Sequence, residues 1–248
     1  MVLPPGYPTT NSSQICKLNK SLYGLKQASR QWYFKLSTTL ISFGYIQSLA
    51  DYSLFVKVSD ASFTALLVYV DDIVLTGNCI SEIQSVKTFL DKQFCIKDLG
   101  QLRFFLGFEI DRSKSGILLN QRKYTLELLE DAGTLGSKLA ATPFDPSTKL
   151  EATNGTPFTY ASSYRRLIGR LLYVTNTRPD ISYSVQHLSQ FVSNPTVLHY
   201  QAAQRILKYL KSSPAKGLFF SASSELKLHG FADSDWVCCP DTRRSVTG

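Results

Sequence analysis

An α+β fold is predicted for this chain: an antiparallel sheet with helices covering one face and an acidic tip left at the open face. Three observations predict it. The run from Ala65 to Val70 is apolar or aromatic, meets the adjacent carboxylates Asp71 and Asp72, and resumes as Ile73, Val74 and Leu75 before a Thr76-Gly77 stop. This reads as strand, two-residue turn, strand. Ahead of it Trp32, Leu36, Leu40 and Phe43 fall at spacings of four, four and three; behind it Ile83, Val86, Leu90 and Phe94 recur at helical intervals. A length of 248 residues, 44% hydrophobic and 19% charged, suffices for a substantial core and excludes a disordered chain.

The elements follow in order. Residues 1 to 14, rich in Pro, Gly, Ser and Thr, read as extended loop. Gly44 closes the first helix as its C-cap. Tyr52 to Val58 alternates as a strand, Ser59 to Ser62 is a turn, and Phe63 to Val70 leads into the acidic turn. Ser81-Glu82-Ile83-Gln84 has the form of a capping box for the next helix, and Lys97-Asp98-Leu99-Gly100 ends that unit. Arg103 to Asp111 reads as a strand with Gly107 in its middle, where either a bulge forms or a backbone or ligand approaches closely. Ser113 to Gly116 turns it into Ile117 to Asn120. Leu126 and Leu129 suggest a short helix, and Ala141 to Pro157 a boundary loop. Three helical patterns follow, one carrying Tyr164, Leu167, Ile168, Leu171 and Leu172 and ending near Pro179. The next carries Ile181, Val185, Leu188 and Val192 and ends at Pro195; the third carries Ala202, Ile206 and Leu210 and ends before Pro214. Leu226 to Trp236 alternates as a strand that delivers Asp233 at its end. His187 and His199 stand alone on helices without metal-ligand partners, which makes them structural or exposed.

Charge and cysteine usage narrow the function classes. Lys and Arg outnumber Asp and Glu by 27 to 19, a net charge of +8 that favours an anionic partner. Lys17, Lys20, Lys26, Arg30 and Lys35 appear with no acid until Asp51, interleaved with Tyr23, Trp32, Tyr33 and Phe34. Cations among aromatics suit phosphate contact and base stacking, and equally an ordinary solvated helix face. The five cysteines are unevenly spaced with no C-x-x-C pair, as in reduced thiols of an intracellular, cytoplasmic or nuclear protein. No run reaches the ~20 apolar residues needed to span a bilayer, and the N-terminus lacks a signal-peptide layout. Secretion and membrane insertion are disfavoured.

Two like charges at the tip of a buried ribbon repel each other unless a cation lies between them. Mg²⁺ takes hard oxygen ligands and is typically held by one or two carboxylates together with substrate phosphates. Phosphoryl transfer with two metals is the chemistry that fits. On the dipeptide alone, a solvated turn explains Asp71 and Asp72 as well.

The whole word Tyr69-Val70-Asp71-Asp72 between apolar strands resembles the polymerase motif of reverse transcriptases. Ser21-Leu22-Tyr23-Gly24-Leu25-Lys26-Gln27-Ala28-Ser29-Arg30-Gln31-Trp32-Tyr33 resembles the second polymerase block of copia-type LTR-retrotransposon reverse transcriptases, departing from it at Ser29, where Pro is usual. Phe104-Phe105-Leu106-Gly107-Phe108-Glu109 resembles the hairpin that supports the primer's 3′ end. Tyr164-Arg165-Arg166-Leu167, Arg178-Pro179-Asp180-Ile181 and Arg205 to Lys211 are similar to the connection toward ribonuclease H, and Leu226 to Trp236 to the first ribonuclease H strand.

The resemblance implies a right-hand polymerase palm and thumb-like antiparallel sheet with packed helices, a largely helical connection segment and an incomplete ribonuclease H-like strand. The implied division is 1–140, 141–225 and 226–248. It makes Asp71 and Asp72 catalytic ligands of Mg²⁺, and Asp233 the first metal-binding carboxylate of the ribonuclease H domain. Tyr69, Lys26, Gln27 and Arg30 would lie near template or nucleotide, and Phe105, Leu106 and Gly107 near the primer. The partners implied are an RNA template, a DNA primer and deoxynucleotides. In the family, the fingers and the first palm strand, with a third metal-binding aspartate, precede the Leu3-Pro4-Pro5-Gly6 block, and further ribonuclease H carboxylates follow Gly248. Little or no turnover by this chain alone is therefore expected. A non-catalytic nucleic-acid-binding remnant, or the inert product of a decayed element, is the alternative.

Overall fold

The computed structural model describes residues 6–8, 14–19, 22, 24–59, 61–148, 150–152, 155–225, 227–232 and 245. The chain divides into two compact units, 1–100 and 101–248. Among the described residues there are six α-helices and two four-stranded antiparallel sheets. No helix among them is long and apolar enough to cross a membrane.

In the first unit, helix α1 (Ala28–Ser42) precedes strands β1 (Ile46–Gln47), β2 (Leu54–Val58), β3 (Phe63–Tyr69) and β4 (Asp72–Gly77), and helix α2 (Ile80–Phe94) follows. The strands lie in the order β1-β2-β3-β4. Register decides which side chains go inward: Leu66 faces Leu75 and Val68 faces Ile73 across β3 and β4, on the face that packs on α1 and α2. Leu36 and Leu40 from α1, Phe55 from β2, and Val86 and Leu90 from α2 complete that core. Gly44, at φ +93, takes the left-handed position just past α1 that a residue with a Cβ adopts only with strain. Helix α2 begins one residue before Ser81, which corrects the capping-box reading. Its N-cap is Cys79; the Ser81 hydroxyl lies 3.1 Å from the Cys79 thiol, and Glu82 is taken by Lys57 at 2.7 Å.

The second unit opens with strands β5 (Phe104–Phe105), β6 (Phe108–Ser113) and β7 (Gly116–Asn120) and helix α3 (Arg122–Asp131). The expected strand from Arg103 to Asp111 is broken: Leu106 and Gly107, both at positive φ, turn β5 back onto β6. Helices α4 (Ala161–Val174), α5 (Ser182–Ser189, entered by a short 3-10 turn at Pro179–Ile181) and α6 (Val197–Leu210) form the expected helical stretch. Tyr164, Leu167, Ile168, Leu171, Val185, Leu188, Ile206 and Leu210 meet in their common core with Leu128 and Leu129 of α3. Strand β8 (Leu218–Ser221) then returns to pair antiparallel with β7, completing the order β5-β6-β7-β8. Periodicity could not reveal β8, because a four-residue apolar run has no period and its partner lies about a hundred residues back.

The boundary loop is not idle. Leu150 is buried, and Arg205 on α6 donates to the Thr142 carbonyl and faces Asp145 at 3.5 Å. His199 is buried, with its Nδ1 accepting the Thr196 N–H at 3.0 Å and its ring stacked 3.9 Å from Phe191. Both observations fit the structural reading of that histidine. Residues 227–232 form no strand, and Leu228 and Phe231 are wholly exposed. Asp233, with the rest of 233–244, lies outside the described residues.

Candidate active site

The acidic tip belongs to the first unit. Tyr69 pairs with Asp72 as the last rung of β3 and β4, so the two turn residues are Val70 and Asp71, not the two aspartates. Val70 adopts φ +50, and Asp71 has no positive φ. Positive φ at the first central position alone is the pattern of a type II′ turn, where Gly is preferred. A β-branched residue there is strained, by about 1–3 kcal/mol. Such strain persists only where the surroundings enforce it, here the register Leu67–Val74 and Val68–Ile73.

Alternation along β4 sends Ile73 and Leu75 to the core and Asp72, Val74 and Thr76 to the opposite face, free of α1 and α2. Asp72 therefore shares the open face with Tyr69, and both Asp71 and Asp72 are exposed. Among the described residues, no group of three His, Cys, Asp or Glu side chains gathers as a metal cage. Asp51, an upstream acid, is occupied: its carboxylate accepts from the Ser53 hydroxyl at 2.6 Å and the Ser53 N–H at 2.9 Å. Those hydrogen bonds hold it below the usual carboxylate range. A pair of adjacent, exposed carboxylates fits a hard divalent cation that shares its remaining positions with water and a substrate phosphate.

Lys26, Gln27 and Arg30 crowd the start of α1, with Gln27 its N-cap, and all three are exposed. A polar bracket fixes which end of the sheet they approach. The Tyr33 hydroxyl donates to the Tyr52 carbonyl, and Gln47 donates to the same carbonyl at 2.8 Å. Tyr52 precedes Ser53, whose carbonyl receives the Val68 N–H at 2.9 Å, one residue before Tyr69. At the far end of α1, an added Cβ on Gly44 would lie 3.6 Å from the Lys57 side chain. The N-terminal half of α1 thus lies toward the acidic end of the sheet, and Arg30, about one turn before Tyr33, stands closer to that end still. The basic start of the helix and the carboxylate tip share one end of the unit. Sequence reasoning missed this Tyr33-Gln47-Tyr52 bracket, since nothing in the spacing of three polar groups on three segments announces that they meet.

Phe105, Leu106 and Gly107 lie in the second unit, at the β5–β6 turn. Gly107 forms neither a mid-strand bulge nor a mid-strand seat for backbone or ligand: it is a turn residue, and a side chain of its own unit lies against it, the Tyr173 hydroxyl 3.3 Å from where a methyl would stand. The Tyr173 hydroxyl donates to the Leu106 carbonyl. Asp233 cannot be placed relative to either site, being outside the described residues.

Comparison with known proteins agrees with the motifs. Residues 1–146 match a family model described as reverse transcriptase (RNA-dependent DNA polymerase). Over its whole length the chain is 42% identical to the retrovirus-related Pol polyprotein from transposon RE1 of Arabidopsis thaliana and 35% identical to that from transposon TNT 1-94 of Nicotiana tabacum. It spans 17% and 19% of those relatives. It is also 31% identical to the putative transposon Ty5-1 protein of Saccharomyces cerevisiae, over 99% of this chain and 80% of that protein. No solved structure matches the chain significantly. With the polymerase word at a hairpin tip and the match running through residue 146, the chain belongs to the reverse transcriptase family, as a segment of a copia-type retrotransposon Pol polyprotein.

Proposed function

We propose that this chain supplies the catalytic hairpin and primer support of an RNA-directed DNA polymerase, and that on its own it binds primer–template with little or no synthesis. The observation that carries the reading is the strained Tyr69-Val70-Asp71-Asp72 tip, two exposed carboxylates at the end of the sheet that also receives the basic start of α1. A bound Mg²⁺ would supply positive charge to offset the triphosphate and the developing charge on the attacking primer oxygen. The chain's own residues do the rest: Asp71 and Asp72 hold the cation on the open face, Tyr69 flanks it, and Lys26 and Arg30 bring positive charge to the nucleotide or template phosphates. Phe105, Leu106 and Gly107 support the primer end. Two carboxylates are too few to cage both metals. Among the described residues strand β4 is an edge of its sheet, and that edge is open to a partner that carries a further carboxylate. Asp233 would play the corresponding part in a ribonuclease H domain.

Primer extension on an RNA template with Mg²⁺, run beside a salt titration of duplex binding, tests the reading. Binding that weakens steeply with salt, as phosphate contacts do, and at most trace extension that Asp71→Asn removes are expected. Robust synthesis that Asp71→Asn abolishes contradicts the low turnover; robust synthesis that survives Asp71→Asn and Asp72→Asn contradicts the site as well, and an absence of salt-dependent binding contradicts the reading as a whole.

A further inference from the structure

The β5–β6 hairpin is too small to hold its own shape. It has two paired rungs, Phe104 with Glu109 and Phe105 with Phe108, and a turn in which Leu106 sits at φ +49 and Gly107 at φ +77. Positive φ at both central residues marks a type I′ turn. Glycine accepts that geometry freely, but leucine does so against the steric resistance between its Cβ and the following carbonyl oxygen. Something outside the hairpin must fix it.

The external support is Tyr173, at the penultimate position of α4. Its hydroxyl donates to the Leu106 carbonyl, at the centre of the turn. A Cβ on Gly107 would stand 3.3 Å from the hydroxyl and 3.5 Å from ring carbon Cε1, so the phenol lies directly against this turn. The ring is held in turn by Phe108 at 5.7 Å and by Tyr124 of α3, edge-on at 5.1 Å. Arg170, one turn earlier on α4, lies over Tyr124 at 5.4 Å and pairs with Asp131 at 2.6 Å. The chain of contact runs from helices α3 and α4 to one carbonyl of the hairpin.

We propose that Tyr173 is a positioning residue for primer binding: its phenol locks the Leu106-Gly107 turn in the form that grips the primer terminus. The proposal rests on the reading of this hairpin as primer support. It makes a helix residue of the connection segment a determinant of how the chain holds a recessed 3′ end.

Tyr173→Phe keeps the ring and removes the hydroxyl; Tyr173→Leu removes both. Two readouts on the full chain separate the possibilities: hydrogen exchange across 104–109, and affinity for a DNA primer recessed on an RNA template against the same RNA single-stranded. Faster exchange at the turn is expected in Tyr173→Phe, with a melting temperature close to that of the parent. Its affinity for the recessed duplex should fall about fivefold while single-strand affinity holds, and Tyr173→Leu should lose more. Unchanged exchange shows there is no lock, and faster exchange with unchanged duplex affinity shows a structural tether only; either overturns the proposal. If the parent chain itself does not prefer the recessed duplex, the primer-support reading fails and the proposal falls with it, whatever the exchange data show.

Discussion

Val70 concentrates the tension of the site in one residue. A valine at φ +50 resists the conformation that places Asp71 at the tip and Asp72 on the open face. Val70→Gly should therefore raise stability by about 0.5–1 kcal/mol in urea unfolding, the relief of strain outweighing the greater freedom of glycine in the unfolded chain. A loss of stability would show that the strain is not there. Two other residues set the response to acid. Arg178, 2% exposed, forks onto Asp180 with both bonds at 2.9 Å, and Tyr209 donates to the same carboxylate at 2.7 Å. These bonds hold Asp180 far below the usual carboxylate range, so its contribution is present above the unfolded value of 3.8 and is lost as pH falls through the lower folded value. Burial pushes the His187 imidazole below 6.5; the unfolded chain then binds the extra proton, and stability falls as pH drops through that region. Unfolding free energy measured against pH should fall gently as pH drops below 6.5, a fall removed by His187→Phe, and more steeply below about pH 4. In Asp180→Asn the steep loss should shrink and stability at neutral pH should drop by about 2–3 kcal/mol, because Arg178 keeps its burial and loses its counter-charge.

At the scale of elements, the hairpin depends on close backbone contact where the two strands diverge. A Cβ on Gly77 would stand 2.5 Å from the Phe63 carbonyl oxygen. Gly77→Ala should cost about 2 kcal/mol in thermal or urea unfolding, through displaced backbone at the β3–β4 rung; a neutral result would mean that the strands separate there freely. Helices were the most legible elements, since Leu36, Leu40, Val86 and Leu90 announce buried faces by spacing alone and Pro179 and Pro195 mark the breaks. Turns were less so. The tip fell one residue from where the aspartates suggested, because Val70 is a poor turn residue on propensity and register decided otherwise. The Leu106-Gly107 turn was hidden for the same reason: only its glycine signals a turn, and Tyr173 supplies the rest from 67 positions beyond Leu106.

Over the whole molecule, what could be read was what is local: apolar periods, the acidic pair and the motif words. What could not be read was long-range closure, namely β8 returning to β7, the bracket that turns the basic start of α1 toward the carboxylates, and the loop from Ala141 that lies against α6 through Arg205. The candidate carboxylates were legible because adjacent acids at the end of an apolar ribbon carry their own signal, whereas their facing depended on register. The polymerase reading stands on Asp71 and Asp72 together holding a divalent cation on the open face. Backbone amide NMR of the chain with primer–template, titrated with Mn²⁺, tests it most directly. Signals from 69–73 should broaden first, and Asp71→Asn and Asp72→Asn should each weaken the effect at least about tenfold while the dispersed spectrum of the fold remains. Equal broadening in both variants, or broadening that begins elsewhere in the first unit, would contradict it.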